Sequence, residues 1–539
     1  MTLETLRSPA GREASPLATR ADASGVPLRH FWNVVVGAGR ANEGLRADWQ
    51  GQLQEVVDVM GFRYVRFHGL FHDDMFVYRE VGGRVEPYFQ YVDQLVDRLL
   101  EMGIRPFVEF AFMPTELARE TGTVFWWGAN GAPPTDYDKW EQLVRATTEH
   151  WAQRYGLDEI RTWYFEVWNE PNLEPFFRGT RSEYFELYRR TVRAVRAIDP
   201  ALRVGGPATS NFVPDARFAG ETEDISLHTV GLDSEQLDRL DWQPVWLQEF
   251  LEYAAAESLP VDFVSVHPYP TDWALDEHGR GARLTRGVDA TATDLATVRG
   301  IVDASAFPTA EIHLTEWSSS SSPRDYTHDH LQAATFIVKT NLDSIGTVDS
   351  LAYWTFTDIF EENGGGQEPF HGGFGMLTQH GIPKPSYHAY RFLSSLGDEV
   401  LTLGSHGVVT RDSATGRLTA LLHHYPDDVT QSVPASFDSR DVAEATLRLG
   451  SVTMLPLRLE GLEPGSRFVI EIVDEVSGNA MHEWRRIGSP LNLSRTEAAA
   501  IDAFARATRR LEIEVDASGV LELSLAVEPW SIVLVQQES

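Results

Sequence analysis

Two stretches of the sequence bring a glutamate to the end of an apolar run. "YFEVWNEPN" at 164–172 carries Glu170, and "EIHLTEW" at 311–317 carries Glu316. Pro171, directly after Glu170, cannot donate to a strand ladder, so the run stops there and the carboxylate faces a cleft or a turn. A pair of carboxylic acids across a pocket is what cleavage of a glycosidic bond requires. The acetal oxygen leaves readily only when protonated, and an oxocarbenium-like transition state needs a negative charge or a nucleophile on its other face. One acid is then held protonated and the other ionised. Trp168 and Asn169 flank Glu170, and a second carboxylate nearby disfavours its charged form, which suits an acid/base. His267 and Tyr269 of "FVSVHPY" (263–269) can donate hydrogen bonds to Glu316 and keep it ionised for attack, an arrangement that retains anomeric configuration. An isolated glutamate at a strand end is more often a salt-bridged loop residue. Two of them at matching strand ends are the reason to read chemistry here.

Only a fold can join residues so far apart. From about residue 30 to 395, short apolar runs alternate with segments of helical period. The strand candidates are 31–37, 64–69, 106–113, 163–170, 203–208, 263–269, 311–317 and 351–356, with helix candidates such as 53–61, 91–103, 140–156, 184–199 and 330–346 between them. Strands apolar throughout and alternating with helices predict a parallel sheet buried on both faces, and eight such units predict a (β/α)₈ TIM barrel. A doubly wound open sheet is the alternative, but no glycine-rich dinucleotide or P-loop fingerprint supports it. A barrel places its active site at the carboxyl ends of its strands. Those ends supply His68, Glu109, Asn169 with Glu170, His267 with Tyr269, Glu316 with Trp317, and Trp354. Glu109 reads as a structural charge partner. Trp168, Trp317 and Trp354 are either core residues or, exposed at the mouth, faces on which a sugar ring can stack.

Past residue 395 the pattern changes to short alternating runs separated by Gly, Pro, Asp and Ser, which predicts an antiparallel β-sandwich over 396–539. A helical insertion at 494–510 opens with Ser494 and Glu497 in capping-box spacing. Residues 1–29 form a separate N-terminal segment whose expected place is against the sandwich, and 30–395 form the catalytic barrel.

Composition limits the partners. The chain has 539 residues with Lys+Arg 46 against Asp+Glu 79, a formal charge of −33, which repels phosphate backbones and anionic lipids. Nucleic-acid and membrane partners are therefore not expected. The absence of cysteine excludes disulfides, thiolate metal sites and cysteine nucleophiles. The amino terminus has no apolar core of the secretory kind and no long apolar run follows, so a cytoplasmic location is expected. "FHDD" (71–74) and "HDH" (328–330) lack a closed ligand spacing and read as a solvated turn and a helix start. No metal or cofactor is expected. A homo-oligomer, with the sandwich as packing surface, is left open.

The chain resembles glycoside hydrolase family 39, and within it the bacterial β-xylosidases. The resemblance rests on "RFHGLFHDD" (66–74), "FVEFAFMP" (107–114), "TVFWWGANGAPPTDYDKW" (123–140), "FEVWNEPNL" (165–173), "VSVHPYP" (264–270), "LTEWSSS" (314–320), "YWTFTDIFEENG" (353–364) and "PFHGGFGMLTQHGIPKPSYHAY" (369–390). It implies Glu170 as general acid/base and Glu316 as nucleophile. It also implies His68, Asn169, His267 and Tyr269 around the terminal sugar, Trp354 beneath it, and Glu361 and Glu362 on its hydroxyls. The implied activity is retaining exo-hydrolysis of terminal β-D-xylosyl residues from short xylo-oligosaccharides. The alternatives are an α-L-arabinosidase, an α-L-iduronidase, or a sugar-binding barrel without catalysis.

Overall fold

Strands that are apolar on both faces must be covered on both, and the chain does this by closing them into a ring with helices outside. The computed structural model describes residues 17–213, 220–222, 239–275, 281–429 and 439–538. Its barrel strands are β1 (Val35–Arg40), β2 (Tyr64–His68), β3 (Arg105–Phe110), β4 (Tyr164–Val167), β5 (Arg203–Ser210), β6 (Phe263–His267), β7 (Glu311–Trp317) and β8 (Ser350–Tyr353). They pair in parallel and in chain order, and β8 closes on β1 through Tyr353 and Val36. The helices that follow them are α1 (Ala47–Met60), α2 (Gln90–Glu101), α3 (Tyr137–Tyr155), α4 (Arg181–Arg196), α5 (Leu247–Ala256), α6 (Ala290–Ala304), α7 (Leu331–Asp343) and α8 (Pro385–Ser394). The expected (β/α)₈ barrel is the observed one.

Several strand ends differ from the sequence reading: β3 stops at Phe110, β4 at Val167 and β6 at His267, so Glu170 lies three residues past its strand. Residues Phe31–Asn33 form a 3₁₀ turn rather than the start of β1, because Phe31 and Trp32 bury their rings below the barrel, where the turn packs on β8 and α8. At the other end β8 stops at Tyr353, so Trp354 leaves the ladder.

The strand period of two sorts the barrel interior into layers. Phe107, Tyr164 and Phe263 fill the floor around His313, with Phe107 stacked on Tyr164 at 4.8 Å and Tyr164 edge-on to Phe263 at 5.4 Å. Two residues further along each strand lie Arg66, Glu109, Glu166, Ser265 and Thr315, all buried. The apolar floor offers these polar groups no partner from below, so Arg66, Glu109, Glu166 and Thr315 pair with one another and with the groups above them.

Apart from four two-stranded pairs, the described strands outside the barrel form the expected sandwich. A seven-stranded antiparallel sheet runs Val26–Pro27, Glu399–Gly404, Gly407–Arg411, Leu418–His423, Ile532–Gln537, Arg467–Val473 and Arg509–Glu514. Facing it is a three-stranded sheet of Leu17–Arg20, Thr453–Glu460 and Val520–Val527, whose first pairing is parallel. Leu17, Leu422, Leu457, Phe468, Ile470, Leu521 and Val533 pack between the two sheets. Ser494 and Glu497 form the capping box of a helix at Arg495–Arg506, and this helix packs through Ile501 and Ala505 on Trp484 and on Phe370 and Ile382 of the segment after β8.

That segment is tied down by a buried lysine. Lys384 Nζ lies 2.7 Å from Asp329, ahead of α7, and 2.7 Å from Asp358, after β8, and donates to the Gly373 carbonyl at 2.9 Å. All three charged side chains are fully buried, so removing the cation strands two carboxylates. Lys384→Met is expected to destabilise the protein by about 3–5 kcal/mol, read as a lower urea midpoint. An unchanged midpoint would contradict this role.

Candidate active site

Arg66 sits in the middle layer with no solvent exposure, and its guanidinium organises the groups above it. Its Nε donates to Glu166 at 2.6 Å, and its Nη2 reaches Glu109 and the Asn169 carbonyl oxygen, each at 2.9 Å. Its Nη1 is 3.4 Å from Glu316. Burial alone would lower the pKa of Arg66, but the carboxylates of Glu166, Glu109 and Glu316 outweigh it and keep the group charged. Because Asn169 spends its oxygen on Arg66, its NH₂ is left for the mouth.

A second chain of hydrogen bonds fixes the proton positions on His267. The Thr315 hydroxyl donates to Glu166 at 2.7 Å, so it can only accept from His267 Nε2, 2.9 Å away. Nε2 therefore carries a proton, and Nδ1 faces oxygens of Glu170 and Glu316, each at 3.1 Å. Burial disfavours the imidazolium, yet Glu316 and Glu170 more than offset this and raise the His267 pKa to about 9.

The two glutamates are thereby driven apart in acidity. Burial and then the charge of Glu316 push Glu170 above its ordinary value, with His267 only partly opposing. Burial also opposes ionisation of Glu316, but His267 and Arg66 outweigh it and hold the carboxyl well below the usual range. Glu170 itself has a left-handed backbone, φ +47°, as has Trp168 at +71°. Such residues need over-determined surroundings. The end of β5 supplies them. Glu170 N–H donates to Ala208 at 2.9 Å, while the Asn172 amide exchanges two 2.9 Å bonds with the Ser210 backbone.

The other predicted residues fall as follows. His68 Nδ1 lies 2.8 Å from Glu109 and its Nε2 is 3.5 Å from Glu362. Burial opposes its charge, but Glu109 and Glu362 raise its pKa to about 10. Glu362 is pushed up to about 7 by burial, opposed by His68 and reinforced by Glu316 and Glu170. Burial and the fields of Glu316, Glu170 and Glu362 raise the Tyr269 phenol, which stays a neutral donor. Trp354 lies against His68 at 4.8 Å and under the Arg66 guanidinium at 5.9 Å. A Cβ on Gly37 would come within 2.4 Å of its ring, so only glycine fits there.

Glu361 is the exception. It turns to Arg40 at 2.8 Å and Arg46 at 2.6 Å, beside the buried Glu43, and so is held by these arginines rather than by His68. Trp168 and Trp317 are core: Trp168 packs on Phe112 and Phe177, and Trp317 on Phe336 and Tyr353. The stacking role weighed for them from sequence does not hold. His330, next to α7, is buried, as is His328, whose Nδ1 is 3.1 Å from the Gly372 carbonyl.

Sequence reasoning missed Arg66, Glu166 and Thr315. A signal existed: Arg66 and Glu166 each place a lone charge inside an apolar strand of a sheet covered on both faces, and such a charge must be paired. The donor atoms of Glu170, His267 and Glu316 lie within 4.8 Å of one another, a spacing that could also hold a cation. Here His267 Nδ1 faces both carboxylates at 3.1 Å, and Arg66 supplies a fixed positive charge 3.4 Å from Glu316.

A carboxylate oxygen of each glutamate within 4.8 Å of the other fits the short separation of retaining glycosidases, about 5–5.5 Å, and not the ~6.5–9.5 Å of inverting ones. The family model of glycosyl hydrolases family 39 matches residues 17–521. The chain belongs to glycosyl hydrolases family 39. A β-xylosidase of Geobacillus stearothermophilus is 34% identical over 94% of this chain and 92% of its own length. Another from Caldicellulosiruptor saccharolyticus is 35% identical over 94% and 95%. The crystal structure of the family 39 enzyme from Xanthomonas axonopodis pv. citri superposes with a TM-score of 0.82 at 32% identity, covering 98% of this chain and 99% of that one. As a family 39 member the protein is a glycoside hydrolase of the retaining type, and its pocket takes small sugars. Among the described residues no helix is long and apolar enough to cross a membrane.

Proposed function

We propose that the protein is an exo-acting β-D-xylosidase that removes terminal xylose from short xylo-oligosaccharides by double displacement. The observation that carries this reading is the placement of Glu170 and Glu316 about one imidazole, each with an oxygen 3.1 Å from His267 Nδ1. In the first step a Glu316 oxygen attacks the anomeric carbon while Glu170 delivers its proton to the departing glycosidic oxygen. In the second, Glu170, now ionised, takes a proton from water, whose oxygen displaces the Glu316 ester and regenerates both side chains. His267 and Arg66 keep the nucleophile ionised before attack. Asn169 presents its NH₂ to the sugar, His68, Tyr269 and Glu362 surround its hydroxyls, and Trp354 forms its base.

The choice of xylose rests on the names of the relatives and on charge. An iduronate ring carries a carboxylate, and it would meet Glu362 in a protein of net charge −33. Arg66, Arg40 and Arg46 are each already paired with carboxylates. Arg324, at the rim, is committed to the carbonyls of Pro323, Asn363 and Gly364, and a site for an acidic sugar needs a cation to spare.

Initial rates on matched 4-nitrophenyl β-D-xyloside, α-L-arabinopyranoside and α-L-arabinofuranoside, beside 4-methylumbelliferyl α-L-iduronide, test the sugar. The xyloside is expected to dominate, and a dominant iduronide rate would contradict the reading. The acid/base assignment carries its own pH signature. Glu170 works in its protonated form and burial raises its pKa, so the alkaline fall of kcat/KM lies above the pH at which an ordinary glutamate loses its proton. Glu170→Gln is expected to abolish this alkaline limb and to lower kcat/KM on xylobiose by about 10²–10⁴-fold. Retention of the limb would sink the assignment.

A further inference from the structure

Trp126 is the most exposed large apolar side chain among the described residues, at 69%, whereas every other tryptophan whose side chain is described is buried. An indole left in water on an enzyme that handles sugar rings calls for a use, and its surroundings supply one. The Trp126 backbone N–H donates to the Glu362 backbone carbonyl at 2.7 Å, one residue along from the Glu361 that Arg40 and Arg46 hold in place. A Cβ on Gly364 would lie 3.7 Å from the Trp126 ring, so the indole stands directly over the glycine-rich rim that follows Glu362. That rim is fixed from its other side by Arg324, which donates to the Gly364 carbonyl at 2.8 Å.

The residue before it links this indole to the reacting centre. Phe125 has a left-handed backbone, φ +63°, and its ring stacks on His68 with centroids 5.8 Å apart and planes 17° from parallel. The far side of Phe125 meets Phe176 at 5.3 Å. Phe176 sits at the end of the two turns that start at Glu170, through Leu173 N–H to the Glu170 carbonyl and Phe176 N–H to the Leu173 carbonyl, each 3.0 Å. A half-buried aromatic wall therefore runs from His68, beside the terminal sugar, to the loop that carries the proton donor, with Trp126 at its exposed edge. The group that leaves with the proton of Glu170 must depart on the side of that loop. A pyranose presents an apolar face of C–H groups, and stacking on an indole is the way a protein holds one without spending a charge.

We propose that Trp126, backed by Phe125 and Phe176, is the platform for the leaving-group sugar, and so sets the preference for oligosaccharides over simple alkyl xylosides. This rests on the xylosidase reading, and the test separates the two. The quantity to measure is kcat/KM on xylobiose divided by kcat/KM on methyl β-D-xyloside, whose leaving group has no ring to stack. In Trp126→Ala the ratio is expected to fall roughly five- to tenfold, through a higher KM for xylobiose, and Trp126→Phe is expected to restore most of it. A ratio unchanged in Trp126→Ala, whatever happens to the absolute rates, overturns the platform. So does a loss confined to 4-nitrophenyl β-D-xyloside, which would assign the indole to aryl groups instead. A wild-type protein idle on both alkyl and sugar xylosides would instead refute the xylosidase reading, and the platform with it.

Discussion

The pocket depends on one guanidinium that has no access to water. A buried cation is tolerable only when carboxylates surround it, and Arg66 gathers Glu109, Glu166 and Glu316 within 3.4 Å. The imidazolium groups of His68 and His267 add two more cations, the first between Glu109 and Glu362 and the second between Glu170 and Glu316. Glu170 has only the imidazole it shares with Glu316, and burial, reinforced by the charge of Glu316, favours its protonated form. The proposed roles of Glu170 as acid and Glu316 as nucleophile thus rest on burial, which makes each unpaired charge expensive, and on the charges around each carboxyl.

The fold is arranged to keep that balance dry and rigid. Phe107, Tyr164 and Phe263 close the barrel below Arg66, so water cannot enter from the floor. Thr315 and Glu166 turn His267 so that Nδ1, and not Nε2, faces the glutamates. The end of β5 holds Glu170 in a backbone conformation that a free loop would abandon. Arg40, Arg46 and Glu43 pin Glu361, which sets the position of Glu362 one residue later. Glu361 and Glu362 are adjacent in sequence but do different work: one anchors and the other faces His68.

Much of this was legible in the chain. Glu170 and Glu316 stood out because carboxylates terminate apolar strands, and the alternation of such strands with helices specifies a parallel barrel whose strand ends converge. Ser494 and Glu497 were readable as a helix start because their reciprocal bonds are local. What escaped was non-local. Arg66 lies two residues before the end of β2, below the level at which strand ends were inspected, and its partners come from β3, β4 and β7. The division of labour between Glu361 and Glu362 depends on arginines more than 300 residues earlier in the chain. Trp168 and Trp317 looked like Trp354 in sequence, yet of the three only Trp354, past the end of β8, lies against His68.

The central claim is that Glu316 bonds to the sugar. Incubation with a 2-deoxy-2-fluoro-β-D-xyloside bearing an activated leaving group slows both steps and lets the ester accumulate, so that mass spectrometry of a digest locates it. The account predicts one fluoroxylosyl addition on the peptide containing Glu316, with inactivation proceeding in step. A label on any other residue, or full inactivation without a covalent adduct, would contradict it.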